Sequence, residues 1–486
     1  MTAIFINGHP VETGEHTTVL QVALANGFYI PHFCWHPELS IVGNCRVCVV
    51  EHEGRGVGIA CNMPISDGMR VLTDSDPVRA QRKAMLQFIL LNHPVDCGIC
   101  DKAGECALQD YHYEYNGETA ISADPKLHST KFFPLSERII LDNERCILCS
   151  RCVRFTREIS KSNVLGLENR GDSMLVRPVE GRTLDDDPYS DNVVDICPVG
   201  ALLSRSFLYQ SRVWYLEPTP SVCPGCARGC TVQLWHRKAE WRLQGLDERH
   251  NTRIHRVTPL ENPQVNGPWI CNKGRDLTAL LDRPRADQAL LKGAPITIVE
   301  AIEAARALLD QAGKRVALVS SWGSNEELRA FRNSLGDYFS CFVKPDHLPG
   351  EGEVVEDDLL IRADKNPNTR AGHDLFGTAA AEIPEDTDLV LIWGEGVDFG
   401  TLPRGVKILF LGSWLLPENG HAEVFIPISI QTERRGHYTN FEGVVSAFEP
   451  CQPRRDGVID AETLFPLLSA PGGSASGGSA SGGGAA

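Results

Sequence analysis

The sequence predicts a multidomain protein, α+β in its first half and α/β in its second. Three observations carry that reading. Fifteen of the 17 cysteines fall before residue 272 in four tight groups, each followed by turn residues. The opening alternates in strand fashion and then turns helical. After residue 276 short apolar runs alternate with amphipathic helical stretches. At 486 residues the chain is long enough for several domains.

The first element is a hairpin. Ile4, Ile6 and Val11 flank an Asn7-Gly8 turn signal. Val19, Leu20, Val22, Ala23 and Leu24 then supply one face of a helix, and a loop follows with Cys34, Cys45, Cys48 and Cys61. This order is that of a β-grasp ferredoxin holding a [2Fe–2S] cluster. Gly43 lets the backbone curl close to the metal, where N–H groups can reach sulfur. Plant-type ferredoxins have a shorter first gap. Zinc sites of four cysteines also use C-x2-C, so the spacing alone admits either metal.

A helix is expected from about Pro77 to Asn92, with Ala84, Leu86, Phe88, Ile89 and Leu90 on its buried side. Pro94 stops it and turns His93 toward Cys97, Cys100 and Cys106. A lone histidine is usually an ordinary surface residue. Three cysteines within the next 13 residues favour ligation here. A neutral imidazole in place of a thiolate makes a cluster less negative and raises its potential.

Cys146, Cys149 and Cys152 begin a bacterial-ferredoxin run whose next cysteine is absent: position 156 is Thr156. Cys197-Pro198 supplies the fourth ligand from a distance, so one [4Fe–4S] site remains of two. Arg145, Arg151 and Arg154 crowd this group, either lifting its potential or forming a solvated basic edge. Cys223, Cys226 and Cys230 with a distant Cys271-Asn-Lys-Gly-Arg275 form the pattern that opens molybdopterin-family oxidoreductases. Zinc is again the plain alternative.

With the four groups in this order the chain resembles the large iron–sulfur subunit (the G type) of respiratory complex I, the NADH:quinone oxidoreductase. The resemblance is strong over 1–275 and weaker over 276–466. It implies one [2Fe–2S] cluster on Cys34, Cys45, Cys48 and Cys61. It implies [4Fe–4S] clusters on His93, Cys97, Cys100 and Cys106, on Cys146, Cys149, Cys152 and Cys197, and on Cys223, Cys226, Cys230 and Cys271. The first three would carry electrons from a flavin-bearing NADH-oxidising partner toward quinone, and the last would lie off that path. Implied partners are the flavoprotein, a small [2Fe–2S] subunit and quinone-module subunits. The place implied is a peripheral arm on the cytoplasmic side of the inner membrane. The alternative is an electron-transfer or diaphorase subunit of a soluble NAD-linked formate dehydrogenase or hydrogenase. Formate dehydrogenase large subunits usually keep both ferredoxin clusters.

The expected domains are 1–78 (β-grasp), 79–135 (one-His/three-Cys), 136–216 (ferredoxin-like), 217–275 (molybdopterin-oxidoreductase type) and 276–468. This last is a truncated α/β domain with a helix at about Ile298–Gln311, its face formed by Val299, Ile302, Ala305 and Leu309. Strands are expected at Val316–Ser320, Asp388–Trp393 and Val406–Leu411. Residues Asp364–Arg370 and Glu433–Gly443 look like pieces of a molybdopterin-enzyme large domain. No molybdenum ligand is apparent, and Cys341 and Cys451 read as a buried thiol and a loop thiol. No G-x-G-x-x-G follows a strand, so FMN, NAD and molybdopterin are not expected on this chain, nor a substrate-converting catalytic residue.

Net charge is −16 at pH 7, which disfavours nucleic acid. No apolar run nears the roughly 18 residues of a membrane span, so no direct membrane insertion is expected. The start, Met1-Thr2-Ala3-Ile4-Phe5, lacks the features of a signal peptide. Residues 469–486 form a flexible Gly/Ser/Ala tail or linker.

Overall fold

The computed structural model describes residues 3–119, 121–242, 245 and 251–469; the expected tail 469–486 lies outside them except for Ser469, which ends a helix rather than beginning a flexible tail. The chain forms two compact units. The first comprises Met1–Glu217, Arg237–Asp247 and Trp269–Arg275, the second Pro218–His236, Glu248–Pro268 and Asp276–Ala486.

In the first unit, β1 (Ala3–Ile6) and β2 (His9–Glu12) make the hairpin around Asn7-Gly8. With β3 (Val49–His52), β4 (Gly56–Ile59) and β5 (Arg70–Leu72) they form a sheet of order β2-β1-β5-β3-β4, in which β1 and β5 run parallel. Helix α1 (Val19–Ala25) covers it. Thr18 and Gln21 close a reciprocal capping box that satisfies the first free N–H groups of the helix. Val19, Leu20, Val22 and Ala23 meet Ile4, Ile6 and Val11 in one core that also takes in Cys48 and Cys61.

Helix α2 (Asp76–Leu90) confirms the expected helix and the burial of Leu86, but not the whole of the expected face. Val78, Arg82, Leu86 and Gln87 are buried, whereas Ala84 and Phe88 are exposed. At about 100° per residue, Phe88 stands roughly 120° from the row Val78–Arg82–Leu86. The strands β6 (Phe133–Pro134), β7 (Ile139–Leu141) and β8 (Leu202–Ser204) then set the stage for the third cysteine group, in a three-stranded sheet of order β8-β7-β6. Leu141 pairs with Leu202, and Asp142 N–H donates to Ala201 O at 2.8 Å. The loop entering Cys146 and the turn leaving Cys197 are thereby side by side. Helix α4 (Arg151–Glu158) starts after Cys149 and carries Cys152, and α5 (Asn192–Ile196) precedes Cys197; another short helix, α3 (Ala107–Tyr111), follows Cys106.

The second unit contains the expected open sheet. Five parallel strands, Ser340–Lys344, Arg315–Ser320, Leu389–Trp393, Lys407–Gly412 and Val424–Pro427, lie in that spatial order, and two antiparallel strands, Ala289–Leu291 and Ala294–Ile296, extend it. Both faces are buried, as parallel sheets require. Ala317, Val319, Leu389, Leu391 and Trp393 meet the helices Ile298–Gln311, Asn325–Leu335 and Ala461–Ser469. Val316, Leu318, Val390 and Ile392 fill the opposite layer. The helix Ile298–Gln311 buries Ala301, Ile302, Ala305, Leu308 and Leu309. Val299, expected among them, is 66% exposed because it lies about 120° from the middle of that face.

Candidate metal centres

Cys34, Cys45, Cys48 and Cys61 converge. Three of the four are buried and one is half-buried. Cys45 and Cys61 donate S–H hydrogen bonds to Cys34, and Cys61 also reaches Cys48. Those bonds hold the Cys34 thiol down to about 2 and lower Cys48, while Cys45 and Cys61 are pushed up. Gly43, at φ +62°, precedes the second cysteine, and a Cβ there would stand 2.9 Å from Ile59 Cδ1.

Cys146, Cys149, Cys152 and Cys197 also converge. All four line one small cavity, walled by Leu141, Val176, Val199 and Leu202. Burial pushes the Cys146 thiol up to about 12, Cys149 to about 11 and Cys152 well up. Leu148 N–H points at the Cys146 sulfur and Arg151 N–H at that of Cys149, which works the other way. Leu148 and Ser150 take left-handed backbone, at φ 53° and 60°, to bend the loop around. Such strain in non-glycine residues is typical of functional loops.

The second group is looser. Cys100 and Cys106 are buried and Cys97 is exposed. Burial raises the Cys100 thiol and takes Cys106 to about 11. His93 follows α2 as expected. Burial, working against the nearby Asp96 carboxylate, lowers its imidazole to about 4. The neutral ring suits a metal ligand, and its buried Nδ1 has no hydrogen-bond partner.

The fourth group is divided between the two units. In the second, Cys223, Cys226 and Cys230 are buried on the loop joining strands Leu216–Val222 and Thr231–Arg237, with Cys223 N–H donating to Cys230 O at 2.8 Å. Cys271, half-buried, belongs to the first unit. The loop is cradled by the two stretches noted in the sequence. Ala227 N–H donates to Asp364 O at 2.8 Å, Phe441 N–H to Ala227 O at 3.0 Å and Asn440 Nδ2 to Arg228 O at 3.3 Å. Cys341 is half-buried and Cys451 buried; burial lifts their thiols to about 11 and 12.

Among the described residues, no three His, Cys, Asp or Glu side chains meet as ligands of a single ion would. A cluster shares its irons among the thiolates, so each group need only ring a common space. The donor chemistry fits: rings of thiols, apolar walls, inward N–H groups and an orphaned imidazole nitrogen.

Sequence reasoning missed what ties the groups together. Arg145 and Arg154 form no solvated edge; they are 1% and 2% exposed. Arg145 pairs with Asp96 at 2.7 Å and Asp142 at 3.3 Å. Arg151 and Arg154, on the first turn of α4, donate to backbone carbonyls of both the first and third groups. A Cβ at Gly200 would stand 2.2 Å from Cys100 Sγ, so the turn after Cys197 lies against the second group. Only the Cys197-Pro-Val-Gly200 spelling hinted at it.

Four family models match in succession. They are a 2Fe-2S iron-sulfur cluster binding domain over residues 1–76 and the NADH-ubiquinone oxidoreductase-G iron-sulfur binding region over 82–120. The ferredoxin-like domain of NADH-quinone oxidoreductase subunit 3 matches 136–203, and the molybdopterin oxidoreductase Fe4S4 domain matches 216–283. The chain is therefore an iron–sulfur protein with 2Fe–2S and 4Fe–4S binding domains. Within that class it is a homologue of the G-type iron–sulfur subunits of NADH-quinone oxidoreductase, as the order of its motifs predicts. The G-type NADH-quinone oxidoreductase subunit of Rickettsia bellii (strain RML369-C) is 34% identical over 400 residues, 81% of this chain and 54% of that protein. The Solanum tuberosum mitochondrial NADH dehydrogenase [ubiquinone] iron-sulfur protein 1 is 35% identical over 60% of this chain and 38% of that one. The chain thus spans about half the length of the curated relatives it matches. A solved chain of an NAD+-reducing [NiFe]-hydrogenase in the H2-reduced state matches with 31% identity, 44% of this chain, 91% of that one and a TM-score of 0.40.

Proposed function

We propose that the chain is the iron–sulfur electron-transfer subunit of an NADH:quinone oxidoreductase, relaying single electrons from a flavin-bearing partner toward quinone. The observation that carries this is the succession of three cysteine groups within one unit, packed loop against loop around buried thiols. An iron–sulfur cluster, when bound, supplies a one-electron couple whose potential follows its charge, burial and hydrogen bonds to sulfur.

Each ligand group holds one cluster. Cys34, Cys45, Cys48 and Cys61 hold a [2Fe–2S] cluster. His93 with Cys97, Cys100 and Cys106, and Cys146 with Cys149, Cys152 and Cys197, each hold a [4Fe–4S] cluster. Cys223, Cys226, Cys230 and Cys271 hold a third, off the main path. Leu141, Val176, Val199 and Leu202 keep water from the Cys146 group. Partners are the flavoprotein, a small [2Fe–2S] subunit and quinone-module subunits, assembled on the cytoplasmic side of the inner membrane. Among the described residues no helix is long and apolar enough to cross a membrane, so attachment through partners is consistent with this placement.

Mild native purification with mass spectrometry of every co-purifying subunit tests the proposal. A flavoprotein together with quinone-module subunits supports it. A hydrogenase subunit or a complete formate-oxidising subunit in their place overturns it.

A further inference from the structure

Arg154 is a buried cation that makes no ion pair among the described residues; the Glu158 carboxylate, one turn on, acts on it only from a distance. It is 2% exposed, and its donors go to Ser150 Oγ at 3.3 Å, Ser40 O, Cys34 O and Cys149 O. None of these, among the described residues, is a carboxylate. Arg145, nine residues earlier, is equally buried and meets Asp96 and Asp142. A guanidinium removed from water without a counter-charge is costly, and proteins rarely keep one. Its Nη2 touches the carbonyls of two cysteines from different groups, Cys34 of the first and Cys149 of the third.

One turn before it on α4, Arg151 repeats the arrangement. Its Nη2 donates to Trp35 O at 2.5 Å, beside Cys34, and its Nη1 to Ile196 O at 3.1 Å, beside Cys197. Two further bonds run the same way: Asn44 Nδ2 to Leu148 O at 3.1 Å, and Ser40 N–H to Glu158 at 2.8 Å. Helix α4 is thus clamped to the loop of the first group by the side chains that flank its own Cys152.

Resting on the electron-transfer reading above, we propose that Arg154, seconded by Arg151, is a positioning residue shared by two clusters. It fixes the first cysteine group against the third, and its charge is balanced by both anionic clusters at once. A thiolate-bound cluster carries net negative charge, which is the counter-ion the guanidinium lacks. One cation between two redox centres raises both potentials together, so the pair stays matched for transfer.

The test uses the full chain loaded with iron and sulfide, with potentiometric titrations of the [2Fe–2S] and third-group signals by electron paramagnetic resonance. Arg154→Gln is expected to lower the equilibrium constant for reducing each cluster about tenfold, a fall of about 59 mV in both. Arg154→Lys, which keeps the charge but loses the planar guanidinium that also reaches Ser40 O and Ser150 Oγ, is expected to restore more than half of each shift. Arg79→Gln, at the exposed Arg79, controls for net charge. Iron-loaded Arg154→Gln with both potentials matching that control overturns the proposal, as does a shift confined to one cluster. Should Arg154→Gln lose iron, Arg154→Lys decides: both potentials near wild type support the shared charge, and a tenfold fall in both refutes it. A wild-type chain that binds no iron on these groups would instead sink the electron-transfer reading, before any variant is compared.

Discussion

Gly200→Ala should empty the second cysteine group while leaving the first intact. The added Cβ would stand 2.2 Å from Cys100 Sγ and 3.2 Å from Lys102 Cβ. Ordinary contact is about 3.6 Å, so the sulfur is short of room by about 1.4 Å. Metal ligands tolerate about 0.2 Å of misplacement, several times less than that. Cys100 cannot retreat freely, because its carbonyl accepts Arg212 Nη1 at 2.5 Å and the turn bearing Gly200 is held by Ala107 N–H on Pro198 O at 3.0 Å. The overpacking itself costs about 1–3 kcal/mol, less than a domain's stability, so the chain should still fold. The assay is iron and sulfide content per chain, with low-temperature spectra and far-ultraviolet circular dichroism as a fold check. About four irons should be lost, with the [2Fe–2S] signal retained. Gly98→Ala is the matched control: Gly98 lies between Cys97 and Cys100, and nothing stands within 4 Å of its added Cβ. If Gly200→Ala keeps full iron and an unchanged second-group spectrum, the packing argument fails.

Replacing His93 with cysteine puts a thiolate where a neutral ring stands, so the midpoint of that cluster should fall by tens to hundreds of millivolts in a redox titration. An unchanged midpoint would deny His93 a place on the metal. In the second unit, Arg285 and Glu433, whose side chains are each 2% exposed, form a forked pair at 2.5 and 3.0 Å. Glu433→Gln should cost about 3–5 kcal/mol in denaturant unfolding, and the double replacement Arg285→Met/Glu433→Leu should recover most of it. Glu395 is lowered to about 2: burial opposes ionisation, but His347, 3.4 Å away, and Arg283, which donates to both carboxylate oxygens at 3.0 and 2.7 Å, prevail. A depressed carboxylate stabilises above its unfolded value near 4.5, and the benefit, about 3 kcal/mol, is lost as pH falls from 4.5 to 2. Unfolding curves of Glu395→Gln should be flatter across that window; an identical pH dependence would contradict the assignment.

The hairpin, α1 and the parallel sheet were legible because their signals are local. Asn7-Gly8 forces a tight turn, and runs such as Leu389–Trp393 are apolar because both faces are covered. Candidate ligands were legible because spacing itself is their signal. Buried faces were harder to read: Phe88 and Val299 are apolar, yet each lies on the wrong side of its helix. Sequence hydrophobicity says that a residue can be buried, and the phase of the helix against its neighbours decides whether it is. Cys271 was placed with Cys223, Cys226 and Cys230 by motif alone, since nothing local to residue 271 points to residues 40 positions away.

What spacing cannot encode is the separation between one ligand group and the next. Cys34 and Cys149 lie more than a hundred residues apart, and no motif relates them. The relation is carried by residues belonging to neither cysteine group: Arg151 and Arg154 on one side, Gly200 on the other. Their identities follow from the geometry they serve. Lysine at 154 could supply the charge, but its single nitrogen could not span the four acceptors that Arg154 reaches with Nε, Nη1 and Nη2. Any side chain at 200 would occupy the position of the Cys100 sulfur. Arg145 looks the same in sequence and is as deeply buried, but Asp96 and Asp142 already balance its charge. Neutralising Arg145 would therefore leave Asp96 and the buried Asp142 to Lys131 alone and should register mainly in stability, whereas neutralising Arg154 breaks no ion pair and should register in potential.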